Sequence, residues 1–199
     1  MRVLRNLEQM LGQVVPTPEP AVLGELRTLG ETTRRGLDLK GSERKRAIAD
    51  VVDAFGVGTG GAVASNVSAQ SLTGTWKLLL ATEQETQFIV RNAGLFGTTA
   101  EVFQTIDVRS GRLQNSIRFG SGAAFIVDSS LTLNTASGRA SFEFYSARLV
   151  LASGKAISLP PVGKGWFDSL YIKGGERLAY DSRGDILLVE RAGAPDFLA

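Results

Sequence analysis

The sequence predicts a mainly β protein, an antiparallel β-barrel of about eight or nine strands preceded by two or three N-terminal helices. Three observations lead there. The hydrophobic period changes from helical to alternating at Leu72. Beyond that point turn signals recur at roughly the 8–12-residue spacing of an all-β barrel or sandwich. A hydrophobic fraction of 43% in 199 residues is enough for a real core. The length predicts one main domain with an accessory segment: an amphipathic or linker segment at 1–19, a helical segment and Gly-rich linker at 20–70, the barrel at 71–193 and a tail at 194–199.

Taken in order, Val3, Leu7, Met10, Leu11 and Val14 share one helical face before the Pro16-Thr17-Pro18-Glu19-Pro20 break. This reads as a short amphipathic helix or the remnant of a targeting segment. Pro20 opens a second helix to about Thr33, with Val22, Leu26 and Leu29 at helical spacing. A third runs from the N-cap candidate Ser42 to Phe55, and its apolar set Ile48, Val51, Val52 and Phe55 follows the i, i+3, i+4, i+7 pattern. Gly56, Gly58 and Gly61 match G-x-G-x-x-G, but a helix precedes them and a polar stretch follows, so they read as a linker and not a dinucleotide site.

Residues 72–90 then read as two strands meeting at the polar turn Glu83–Glu85. Leu113, Asn115, Ile117 and Phe119 alternate with polar residues, as do Phe142 and Phe144. Turns are expected around Gly111, Gly120–Gly122, Gly138, Gly174-Gly175 and Ser182–Asp185. Pro160-Pro161 cannot feed a central ladder and forms a fixed extended crossover before the strand led by Trp166 and Phe167.

Composition excludes several function classes. Residues 1–70 carry 9 Lys and Arg against 8 Asp and Glu, and residues 71–199 carry 13 against 12, so neither half is a polyelectrolyte suited to nucleic acid. With no cysteine and no histidine there is no disulfide, thiolate nucleophile, Ser-His-Asp triad or zinc site of the usual kind, and no cofactor is indicated. No apolar run reaches the ~20 residues that cross a bilayer, so a soluble or surface-lying chain is expected.

Four stretches resemble the plastid lipid-associated protein family, also called fibrillins or plastoglobulins. They are Arg35-Gly36 before the helix 42–55, Leu72–Leu79, Val102–Val108, and Gly165–Ile172 followed by Glu176–Asp185. Asn92–Gly97 and Pro160–Gly163 are similar to one subgroup. The resemblance implies a lipocalin-like barrel in plastids, peripheral to plastoglobules or thylakoids. Its partners would be lipids or isoprenoids such as quinones and carotenoids.

The resemblance and the strand pattern together nominate site residues. Gly74 and Trp76 form the Gly-x-Trp start of a lipocalin-like barrel, with Arg177 or Arg191 as the arginine stacked on the ring. Asp181, Arg183 and Gly184 complete that motif at the last turn, where Arg183-Gly184-Asp185 needs no adhesion receptor to explain it. If Trp76, Leu78 and Leu80 point inward, their partners in a ligand-lining set include Phe103, Ile117, Phe119, Phe125, Phe142, Phe144, Trp166 and Leu170. Leu80 stands where relatives carry an aromatic. Asp107, Asp168, Asp181 and Asp185 read as turn caps more readily than as paired acid and base. A non-catalytic lipid-binding protein is therefore expected; a carboxylate-dependent lipid enzyme and a lipid-body coat with a filled barrel are the alternatives.

Overall fold

The computed structural model describes residues 19–59, 63–83, 100–161 and 163–199. Three helices come first: α1 (Ala21–Thr32), α2 (Gly41–Phe55) and the single turn α3 (Ala69–Leu72). Nine strands follow: β1 (Gly74–Ala81), β2 (Ala100–Asp107), β3 (Arg112–Phe119), β4 (Ala124–Leu133), β5 (Arg139–Val150), β6 (Ala156–Leu159), β7 (Lys164–Lys173), β8 (Glu176–Asp181) and β9 (Ile186–Gly193). The expected helix at 1–14, the strand after Glu85, the Asn92–Gly97 stretch and Gly61 lie outside the described residues.

Every strand pairing is antiparallel. The β1–β9 pairing and the β4–β5 pairing close eight strands into a ring in the order β1-β2-β3-β4-β5-β7-β8-β9, while β6 pairs with β5 alone. β5 makes this possible by being long. Its first half binds β7, its second half binds β6, and Pro160-Pro161 fall between those two partners. A proline pair supplies no amide hydrogens, so the ladder breaks at this point.

Local chemistry sets the element ends. Pro20 immediately precedes α1. α2 begins one residue earlier than expected, and Ser42 is not its N-cap: Lys40 holds that position, its amide donating to the Glu43 carboxylate at 2.9 Å. The helix stops at Gly56, whose φ of 63° fits the left-handed C-terminal position. Leu72, expected to open β1, instead closes α3, which is capped by Ser68 accepting from the Ser71 amide at 3.1 Å.

Two bulges decide what faces where. On β1, Leu78 pairs with Val189 and Leu80 with the adjacent Leu188, so one extra residue is accommodated and the alternation reverses. On β7 a second irregularity lies between Ser169 and Tyr171. Leu80 and Leu170 therefore join Leu178, Ile186 and Leu188 in an outer apolar patch covered by α1 and α2 through Val22, Leu23, Leu26, Ala47 and Val51. Expected inside the ring, Leu80 and Leu170 both pack under the helices instead. The inner face forms a separate core containing Trp76, Leu78, Ile106, Leu113, Phe167 and Val189.

α1 reaches the sheet through Gly30. A Cβ there would stand 2.4 Å from the Leu79 carbonyl oxygen, so the helix backbone lies directly on β1. The turn after α1 is fastened to the same edge, the Ala81 amide donating to the Arg35 carbonyl at 3.2 Å and Arg35 Nη1 to the Ala100 carbonyl at 2.9 Å. At the other end of the chain, residues 194–199 cross the outer face of the sheet. The Leu198 amide donates to Gln114 Oε1 at 2.8 Å, and the Asp196 amide to Thr75 Oγ1 at 2.9 Å.

Two substitutions test this arrangement by chemical denaturation. Gly30→Ala is expected to destabilise by about 1–3 kcal/mol, because the added methyl forces α1 off β1. Leu80→Ala is expected to remove about 2–5 kcal/mol, as for any fully buried leucine, while leaving the ring interior intact.

Candidate functional site

The ring encloses a cavity of about 390 Å³. One end is closed by Trp76, which is buried and anchored by its indole N–H donating to the Leu72 carbonyl at 2.9 Å. That acceptor is the last residue of α3, so the short helix fixes the ring. Two arginines lie over the indole, Arg191 with its guanidinium carbon 4.2 Å and Arg177 5.0 Å from the ring centroid. Such cation–π contacts contribute about 0.5–1 kcal/mol where the cation is exposed, as Arg191 is, and about 2 kcal/mol where it is desolvated, as Arg177 is. Gly74, two residues before, is required by the same stack: its φ is 154°, and a Cβ would meet Arg191 Nη1 at 2.2 Å.

Arg191 is satisfied by backbone, donating to the Ser71 carbonyl and, at 2.7 Å, to the Thr73 carbonyl. Arg177 is different. It is fully buried, stacks also on Phe167 at 5.2 Å, and donates through Nη2 to Gln104 Oε1, while Nε and Nη1 have no partner among the described residues. Burial, with the neighbouring Arg191 charge, pushes this guanidinium down to about 9, which leaves it protonated at neutral pH. Gln104 in turn donates to Asn115 Oδ1 at 3.2 Å, and both amides line the cavity.

The walls are apolar, with Leu78, Val102, Leu113, Ile117, Phe125, Val127, Phe142, Phe167 and Val189 facing the space. The opposite end is charged. Glu83, Asp181, Arg183 and Asp185 line it beside Phe144, Pro160 and Pro161. Asp181 Oδ1 accepts from the Arg183 amide at 2.8 Å and the Asp185 amide at 3.0 Å, which builds the β8–β9 turn. Burial nevertheless dominates and raises the Asp181 carboxyl above the ordinary range. Asp185 accepts from Thr82 Oγ1 at 2.6 Å, tying this turn to the end of β1.

Of the nominated lining residues, Trp76, Leu78, Ile117, Phe125, Phe142 and Phe144 face the cavity, and Phe103 borders it while its ring stacks under Arg118, whose guanidinium carbon is 4.5 Å from the centroid. Four do not reach it. Leu80 and Leu170 face the helices. Phe119 packs at the end of β3 with Ile117 and Ala123. Trp166 lies on the outer side of β7 under Arg139, whose guanidinium carbon is 3.6 Å from the ring and which also clasps Asp168 at 2.7 and 2.9 Å. Either member of Trp166-Phe167 satisfies an alternating pattern, and a one-residue choice inverts the whole strand. The Arg139–Asp168 pair across β5 and β7 fixes Asp168, and with it Trp166, outward.

Gln104 and Asn115 escaped nomination although a signal was present. Each is the polar member of an otherwise apolar inward set, Asn115 between Leu113 and Ile117, and Gln104 between Val102 and Ile106. The remaining carboxylates are structural, Asp107 accepting from the Arg109 amide at 3.0 Å in the β2–β3 turn. Among the described residues no cluster of three acidic groups is placed to hold a metal ion, and no helix is long and apolar enough to cross a membrane.

The charge at the mouth gives a pH test. A carboxyl raised in the folded state favours folding in acid, and that contribution disappears as pH rises from the ordinary aspartate value of about 3.9 through the raised one. Asp181→Asn keeps an oxygen acceptor for both turn amides. It is expected to melt above the wild type at neutral pH and level with it below that ordinary value, as read by thermal denaturation across pH.

The PAP_fibrillin family model matches residues 24–190. The chain is similar to the probable plastid-lipid-associated protein 11, chloroplastic, of Arabidopsis thaliana, with 41% identity over 159 residues that cover 79% of this chain and 73% of that protein. No solved structure matches the chain.

Proposed function

Because the chain belongs to the PAP_fibrillin family, we propose that it is a non-catalytic plastid protein whose ring is a lipocalin-like β-barrel holding part of a hydrophobic molecule, such as an isoprenoid quinone or a carotenoid. The observation that carries this reading is the apolar cavity over Trp76. Burial of hydrocarbon there is worth about 25 cal/mol per Å² and requires few polar contacts. At about 390 Å³ the space lies at the lower end of the 300–1,000 Å³ usual for ligand sites, so it takes a head group and a short run of chain. The rest of a prenyl chain extends through the mouth between Phe144 and Pro160-Pro161 toward plastoglobule or thylakoid lipid.

The carboxylate-enzyme alternative has less support. Asp181 is the lining carboxyl with a raised value, and its oxygen is committed to two backbone amides of a turn. A coat that acts only through its surface is favoured by one feature, the exposed Tyr145, Ile157 and Leu159 on β5 and β6.

A filled-cavity variant separates the readings. Ala147 lines the cavity, and Ala147→Phe is expected to abolish saturable binding of decyl-plastoquinone and β-carotene while liposome flotation stays unchanged. Binding can be followed by quenching of Trp76, the remaining tryptophan once Trp166→Phe removes the outer one. A wild-type protein that carries no lipid when purified natively, and binds neither compound, would refute the cavity reading and leave the surface one.

A further inference from the structure

We infer that the inner end of the cavity is a carboxylate site: Arg177, Gln104 and Asn115 recognise the acidic head of a single-chain lipid whose tail runs outward to the mouth. This rests on the reading of the cavity as a lipid site and adds the chemistry of its occupant.

The first support is the state of Arg177. It is fully buried, and among the described residues its guanidinium has one hydrogen-bond partner, a neutral amide oxygen, and no carboxylate. Two of its nitrogens have no acceptor. A buried charge is normally paired, and leaving donors unsatisfied carries a penalty that an incoming acceptor removes. Aromatic faces at 5.0 and 5.2 Å offset part of that penalty without using the N–H groups.

The second support is position. Arg177, Ala179 and Asp181 project from the same face of β8, and the last two line the cavity. Arg177 is one step deeper, separated from the space by Gln104 and Trp76, which are themselves lining residues. A carboxylate entering here takes the place of Gln104 Oε1 on Nη2 and reaches Nη1 as well, the paired geometry that guanidinium favours. The Gln104 and Asn115 amides then supply donors for its remaining lone pairs.

The third support is the charge gradient along the cavity. Arg177 and Arg191 stand at the closed end, whereas the mouth carries three lining carboxylates, Glu83, Asp181 and Asp185, against one arginine, Arg183, which pairs with Glu83 at 3.7 Å. Four residues of strand separate Arg177 from Asp181, about 13 Å. An anionic head is therefore favoured at the floor over the mouth, so the bound molecule lies with its head inward.

Oleate, oleyl alcohol and methyl oleate share a chain and differ in head group, so titrating each into the full chain carrying Trp166→Phe isolates this site. Oleate is expected to bind about 10- to 100-fold more tightly than the two neutral lipids. Arg177→Gln is expected to bring oleate down to the affinity of the two neutral lipids, and Arg177→Lys to restore part of the preference. As a check that needs no change at Arg177, carboxyl-labelled oleate bound to the wild type is followed by carbon-13 NMR. Its carboxyl should stay ionised to lower pH than free fatty acid in water. Equal affinity for all three lipids, or a bound carboxyl that protonates at higher pH than the free one, would overturn the head-group assignment and leave the cavity reading standing. Binding of none of the three would overturn both.

Discussion

The stack of Arg191, Trp76 and Arg177 closes one end of the ring, and the surrounding structure is organised to keep it there. Trp76 is held from α3 by its indole hydrogen bond, Arg191 by two backbone carbonyls, and Gly74 is present because a side chain would displace the guanidinium. A large ring stacked on the fully buried Arg177 is a stable plug only where water is excluded from that side, which requires the sheet to close around it. The β1–β9 and β4–β5 ladders provide that closure. The plug fills the floor and leaves the upper part of the ring open, so the same residues that stabilise the fold define a cavity.

A ring of strands has two faces, and here both are apolar in places. The inner face forms the cavity, while the outer face of β1, β7, β8 and β9 is covered by α1 and α2. The bulges at Leu79 and between Ser169 and Tyr171 let single strands serve both demands, changing which side receives the leucines partway along. Gly30 lets α1 come close enough to complete the outer layer. The polar outer face at the start of β1 and on β3 is used differently, with Thr75 and Gln114 binding the terminal residues.

Polarity along the cavity axis connects this architecture to the family. Membership in the PAP_fibrillin family directs attention to lipids, and the cavity combines an apolar wall with arginines at the floor and three carboxylates and one arginine at the mouth.

By itself the sequence determined the change from helices to strands, the turns and the break in the ladder at Pro160-Pro161. These depend on local periodicity and on residues with restricted or unusual backbone freedom. The importance of Gly74, Trp76, Arg177 and Arg191 was also legible through the resemblance of the Gly-x-Trp start and the last strands to a known family. Tertiary structure alone decided which face each strand turns inward. Alternation has two phases, and the choice between them is made by partners far along the chain: Val189 and Leu188 place a bulge opposite Leu79, and Arg139 draws Asp168 and Trp166 outward. Leu80 and Trp166 were thereby moved out of the cavity and Phe167 into it. Only closure of the ring brought Gln104 from β2 against Arg177 from β8, a hydrogen bond across 73 residues that no local pattern encodes.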